Sequence, residues 1–235
     1  MPQSQSHGFI FENLIRKTIF EIPEVLNDTN VHDIVHNNET ISIKSCVIKN
    51  KVFHVECGDI LRFLSSFDSK TRMKHYMFII CYTQNKDYKT VKRSVEVELN
   101  ENLKECLFGK NFNYDLLNSF VLKVKNLPSG SLSKKLKDGL YKEAKELQKH
   151  FGMLLSIRVK LDSKKQRRVQ CCISKMNEFL LENPTFIIHD NDCAEFRNIK
   201  YQETITSSSR KRNQNYEAIM KNEFIALCKL CRAFQ

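Results

Sequence analysis

The stretch "HDIVHNNETISIKSC", residues 32–46, decides how the chain is read. It places Asp33 near the end of a short strand over 31–35 and Lys44 inside a longer one over 40–48. If the two strands are neighbours, the carboxylate of one lies beside the ammonium of the other. Alternation along the second strand puts Ser42 and Lys44 on one face and Ile41 and Ile43 on the other.

A carboxylate beside a lysine is part of what phosphodiester cleavage requires: carboxylates to hold a divalent cation, and positive charge near the reacting phosphate. Here the set is one carboxylate short, because Ser42 occupies the position where such a cage often takes Asp or Glu. Matching apolar residues across a hairpin over 40–57 sets Val47 against Phe53, Ser45 against Val55 and Ile43 against Cys57, with Lys49, Asn50 and Lys51 as its loop. That register brings Glu56 opposite Lys44 and ranks it first as the missing ligand. Glu12, on an opening helix, ranks second; Asp59 ranks third, since its place before a helix suits it to capping. Lone Asp and Lys residues on strands are more often simply solvated. His32, His36 and His54 sit on separate elements without zinc-ligand spacing.

Outward from this stretch, apolar periodicity predicts a helix over 8–20, with Phe9, Ile10, Asn13, Leu14, Lys17 and Phe20 near helical spacing. Strands follow at 40–48 and 52–57, then a helix beginning at Gly58-Asp59. "HYMFIICYT" at 75–83 is a nearly continuous apolar run, as expected of a strand covered on both faces, and "TVKRSVEVEL" is its neighbour. Helices at 112–125 and 131–150 flank the hinge "LPSGS". "LLSIRVKL" and "RRVQCCIS" form a hairpin about "DSKKQ". A helix over 174–182, a strand over 185–188, a basic loop "TSSSRKRNQN" and a closing helix over 214–232 complete the reading. The expected layout is an α/β core over 1–127 and a more basic helix and hairpin region over 128–235, packed together as one unit.

Composition bounds the function. With 235 residues and 41% hydrophobic content, the chain can bury a sizeable core. Lys and Arg outnumber Asp and Glu by 38 to 27, a formal charge of +11, which favours a polyanionic partner and nucleic acid first. No apolar run is long enough to span a membrane, and the start lacks the order of a secretory signal. Nine irregularly spaced cysteines suit buried thiols in a reducing, intracellular and cytoplasmic setting. The single CxxC, Cys228 to Cys231, falls in a helical pattern that packing explains. The absence of GxxxxGK[ST], GxGxxG and GxSxG patterns argues against nucleotide hydrolases, Rossmann enzymes and α/β-hydrolases.

Taken in chain order, Glu12 in "GFIFENLI", Asp33 in "HDI", Ser42-Ile43-Lys44 in "ISIKSC" and the following "VECGDILRF" resemble a type II restriction endonuclease of the PD-(D/E)XK nuclease superfamily. The resemblance covers residues 8–85 and departs from the pattern twice, with His32 in place of proline and Ser42 in place of the second acid. It implies an α/β/α sandwich around a mixed sheet and Mg2+-dependent hydrolysis of double-stranded DNA. Asp33 would bind metal, the Ile43 carbonyl would join it, and Lys44 would orient water and stabilise charge. It also implies a cognate DNA methyltransferase. Cutting two antiparallel strands suits a two-fold homodimer. The 155–173 hairpin then acquires a DNA-facing role through Arg158, Lys160, Lys164, Lys165, Arg167 and Arg168, since a two-stranded ribbon fits the major groove. Arg210, Lys211 and Arg212 are weaker candidates for phosphate contact. Two alternatives stay open: a structure-selective repair or junction nuclease of the same superfamily, and a non-catalytic DNA-binding protein.

Overall fold

The computed structural model describes residues 3–22, 33–48, 52–67, 73–161 and 167–206. His32, the Lys49–Lys51 loop, Lys164, Lys165, Arg210, Lys211, Arg212 and the closing helix with its CxxC lie outside the described residues.

The chain opens with α1 (Gln3–Ile19), then β1 (Ile34–His36), β2 (Glu39–Val47), β3 (Val55–Asp59), α2 (Ile60–Ser65), β4 (Lys74–Asn85) and β5 (Tyr88–Glu98). Next come α3 (Glu101–Phe108), α4 (Tyr114–Lys125), α5 (Lys134–Phe151), β6 (Leu155–Leu161), β7 (Arg167–Ile173) and α6 (Met176–Glu182). Short strands β8 (Ile187–Asn191), β9 (Glu195–Phe196), β10 (Ile199–Lys200) and β11 (Thr204–Thr206) complete the described residues.

This is a mixed α/β sandwich. Its central sheet runs β1-β2-β4-β5, and both β8 and β11 pair with β5. Among the described residues of this sheet only β2 and β4 are parallel, as a pair separated by a long crossover can be; the other pairs are antiparallel. The nearly continuous apolar run of β4 has the two-sided burial expected of it. Phe78, Ile80 and Tyr82 point to one face, where Phe11 and Ile15 of α1 pack with Ile41 and Ile43. Met77, Ile79 and Cys81 point to the other, against apolar residues of α2 to α6 and of a second sheet, β3-β7-β6. The buried stripe of α1 is centred on Phe11 and Ile15, with Ile10 and Leu14 of the expected row partly buried beside it and Lys17 exposed.

Two local features follow directly from residue chemistry. Asn37 and Asn38 both take positive φ (47° and 62°), the two-residue turn whose twist matches the flanking strands, and asparagine tolerates that region better than most residues. This turn makes β1 and β2 neighbours. Asp59 caps α2, accepting from the backbone N–H groups of Leu61 (3.1 Å) and Arg62 (3.2 Å). Asp59→Ala is therefore expected to lower stability by about 1 kcal/mol, read as a lower urea midpoint at unchanged slope.

Two expectations are corrected. The β2–β3 hairpin does not form: β3 pairs with β7, setting Val55 opposite Ile173 and Glu56 opposite Cys172. The alternation of β3 is the expected one, but strands with matching alternation compete for the same edge, and β7 wins although it lies far along the chain. Residues 101–108, where the sequence pattern predicts no element, form α3, begun by the Asn100 side chain accepting from Leu103 N–H. Strands from either side of residue 127 share both sheets: β7 completes a sheet with β3, and β8 and β11 extend the sheet of β2, β4 and β5.

Candidate active site

The β1–β2 turn sets the site. Ile34 pairs with Ile41, so Asp33 falls just before the paired segment, beside Ser42 and diagonal to Lys44. Its backbone N–H donates to the Ile41 carbonyl (3.1 Å), and its Oδ2 accepts from the Ile43 N–H (2.5 Å). Lys44 Nζ lies 3.7 Å from the same Oδ2, and both side chains are about a fifth exposed, at 23% and 21%. The expected juxtaposition of Asp33 and Lys44 is therefore present. In a strand, the N–H and C=O of one residue point to the same side, so the Ile43 carbonyl points to the edge where Asp33 sits.

The opening helix supplies the rest. Arg16 Nη1 donates to the backbone carbonyl of Asp33 (2.6 Å) and lies 3.7 Å from Glu12 Oε1, one helical turn away. Arg16 is buried because α1 turns its Phe11 and Ile15 stripe against the sheet and carries the adjacent Glu12 and Arg16 with it. Glu12, Arg16, Asp33 and Lys44 thus form one chain of contacts across α1, the residue before β1, and β2.

The three candidates for the second carboxylate separate clearly. Glu56 is exposed on the outer face of the second sheet, ion-paired with Arg158. The register that would have brought it to Lys44 is not the one formed. Asp59 is occupied as a cap. Glu12 is joined to Asp33 through Arg16. Ser42 is buried in the sheet. Glu56→Ala is accordingly expected to leave any cleavage activity within about twofold of wild type in a plasmid assay, as for an exposed pair away from the site.

Among the described residues, no group of three or more His, Cys, Asp and Glu side chains is arranged to hold a metal. Mg2+ asks for less, since it keeps several waters and commonly takes one or two carboxylates plus substrate phosphate. Asp33 with the Ile43 carbonyl fits that donor set, and Glu12 lies one arginine away.

The β6–β7 hairpin forms as expected, in a register that places Arg158 opposite Gln170 and Lys160 opposite Arg168. These four residues share the outer face, while Val159, Val169 and Cys171 are buried. Arg167 is engaged elsewhere, donating to the carbonyls of Leu161 (3.0 Å), Pro128 (2.9 Å) and Gly130 (2.6 Å). It thereby ties the expected hinge to the hairpin. Beside Arg158, burial and then the charge of Glu56 push the Cys172 thiol up to about 11, so this cysteine stays a protonated packing residue at neutral pH.

One cluster has no counterpart in the sequence pattern. Arg197 sits in the β9–β10 turn with φ 47° and reaches two acids on different strands. Its Nε and Nη2 donate to fully buried Glu96 (3.0 and 2.6 Å), and its Nη1 donates to Glu39 (2.6 Å). Burial pushes its proton affinity down, but the hydrogen bonds to Glu96 and Glu39 outweigh this and hold it above the ordinary arginine range. "EVE" at 96–98 is the one available clue, an acid inside an apolar strand.

No helix among the described residues is long and apolar enough to cross a membrane. Comparison with protein-family models, with curated proteins and with solved structures finds no match for this chain.

Proposed function

We propose that the protein is a Mg2+-dependent, sequence-specific endonuclease of double-stranded DNA, acting as a type II restriction enzyme. The observation that supports this most is Asp33, held by the β1–β2 turn with its carboxylate 3.7 Å from Lys44 Nζ. Asp33 and the Ile43 carbonyl would hold the cation, with Glu12 the second acid in place of Glu56. The bound Mg2+ would polarise the scissile phosphate and lower the pKa of the attacking water. Lys44 orients that water and offsets negative charge as it builds on the phosphate oxygens. Arg158, Lys160 and Arg168, presented with Gln170 on one sheet face, suit the DNA backbone and the donor and acceptor edges of the major groove. The reading extends to a two-fold homodimer that cuts both strands, a cognate methyltransferase that protects host sites, and an intracellular location.

The test is digestion of long unmethylated DNA in Mg2+. Discrete fragments that disappear with Asp33→Ala support site-specific cleavage. Cutting confined to branched substrates points to a junction nuclease instead. Retention of duplex without cutting, unchanged by Asp33→Ala, leaves a DNA-binding protein.

A further inference from the structure

The four charged residues of the site balance: Glu12 and Asp33 are negative, Arg16 and Lys44 positive. Arg16 and Glu12 are the more enclosed, with side chains only 7% and 14% exposed. One nitrogen of Arg16, Nη1, serves two elements at once, at 2.6 Å from the Asp33 carbonyl and 3.7 Å from Glu12 Oε1. Lys44 closes the other side, 3.7 Å from Asp33 Oδ2. A divalent cation arriving at Asp33 therefore meets two fixed positive charges in a partly desolvated corner, where unit charges a few ångströms apart interact strongly.

We propose that Arg16 is a positioning residue for this site: it ties Glu12 to the Asp33 main chain and, with Lys44, balances their negative charge, so that the DNA-free site holds a divalent cation weakly. This inference rests on the nuclease reading above. A lone structural arginine would lower activity and metal binding together when removed. The charge-balancing role separates them: without Arg16 the site is more negative and binds cations better, while Glu12 and Asp33 lose their common anchor and cleavage suffers.

The experiment measures Mn2+ binding to the full-length, DNA-free protein by the loss of the free-ion electron paramagnetic resonance signal, beside digestion of long unmethylated DNA. Arg16→Met is expected to bind Mn2+ at least about tenfold more tightly than wild type and to cleave at least about tenfold more slowly. Adding Asp33→Asn to it abolishes the gain, which places the ion at this site. Arg16→Lys keeps the charge, and with it near wild-type Mn2+ affinity, while its single ammonium positions poorly and cleavage falls. Arg16→Gln removes the same charge with a polar side chain and likewise tightens Mn2+ binding, which keeps the test valid if Arg16→Met does not fold. Cleavage by wild type with Mn2+ affinity unchanged or weaker in Arg16→Met and Arg16→Gln overturns the role of Arg16 and leaves the nuclease reading standing. Absence of both cleavage and Mn2+ binding in every variant overturns the two together.

Discussion

Arg197→Met is expected to cost about 3–5 kcal/mol, the range for removing one partner of a buried ion pair, and to lower the melting temperature by roughly 10 °C in a domain of this size. The size of the effect comes from what is left behind. Glu96 is fully buried in β5, and two nitrogens of Arg197 reach its carboxylate. Without the guanidinium, Glu96 keeps the His189 imidazole, 3.9 Å away. Glu39, at the start of β2, loses its partner as well, and the arginine's place over the Tyr76 ring (4.9 Å) is given up. The hairpin of β9 and β10 would still be held by Phe196 against Phe78, with ring centroids 4.7 Å apart, and by Ser94 bonded to the Tyr201 hydroxyl (2.6 Å). Combining Arg197→Met with Glu96→Gln should recover part of the loss, because the stranded charge is then removed too. A fall of under about 1 kcal/mol in the single variant would show that Glu96 finds water or another donor instead.

Asp33→Ala and Lys44→Ala should both cut cleavage by about 100- to 10,000-fold, the scale on which positioned charged groups act in catalysis. Folding should be little affected. Each side chain is about a fifth exposed, and Asp33 contributes one hydrogen bond to the Ile43 N–H at a sheet edge, a loss of about 1 kcal/mol. The contrast is what matters. Arg197→Met should destabilise the protein by stranding the buried Glu96, whereas Asp33→Ala should silence it at nearly unchanged melting temperature. Urea melts and initial cleavage rates measured on the same preparations separate the two effects.

What the sequence reveals follows the range over which its signals act. The β1–β2 turn, the Asp59 cap and the inward parity of β3 are set by residues within a few positions of one another, and each is legible. The partner of β3 is not. Val55 and Cys57 could face Ser45 and Ile43 or Ile173 and Cys171 equally well by polarity, and only packing of the whole second sheet selects β7. For the same reason the sequence pattern brings Glu56 to the site and ranks Glu12 below it. Helix α3 escapes notice because "ENLKECLF" is short and half polar, its three buried residues Leu103, Leu107 and Phe108 giving a faint stripe. Arg197 is invisible for another reason: it meets Glu96 across 101 residues, and no local pattern announces an ion pair of that span. In the candidate site, Asp33 and Lys44 are legible because one tight turn joins them. Arg16 is not, because its contact with Asp33 depends on how α1 docks.

The nuclease reading is tested most directly by the conversion of supercoiled plasmid to nicked and linear forms by purified protein in Mg2+. Wild type should convert it, chelation of the metal should stop the reaction, and Asp33→Ala and Lys44→Ala should leave the plasmid supercoiled while melting close to wild type. Equal conversion by wild type and both variants, or an intact plasmid with wild type across many DNA sequences and divalent metals, would contradict it.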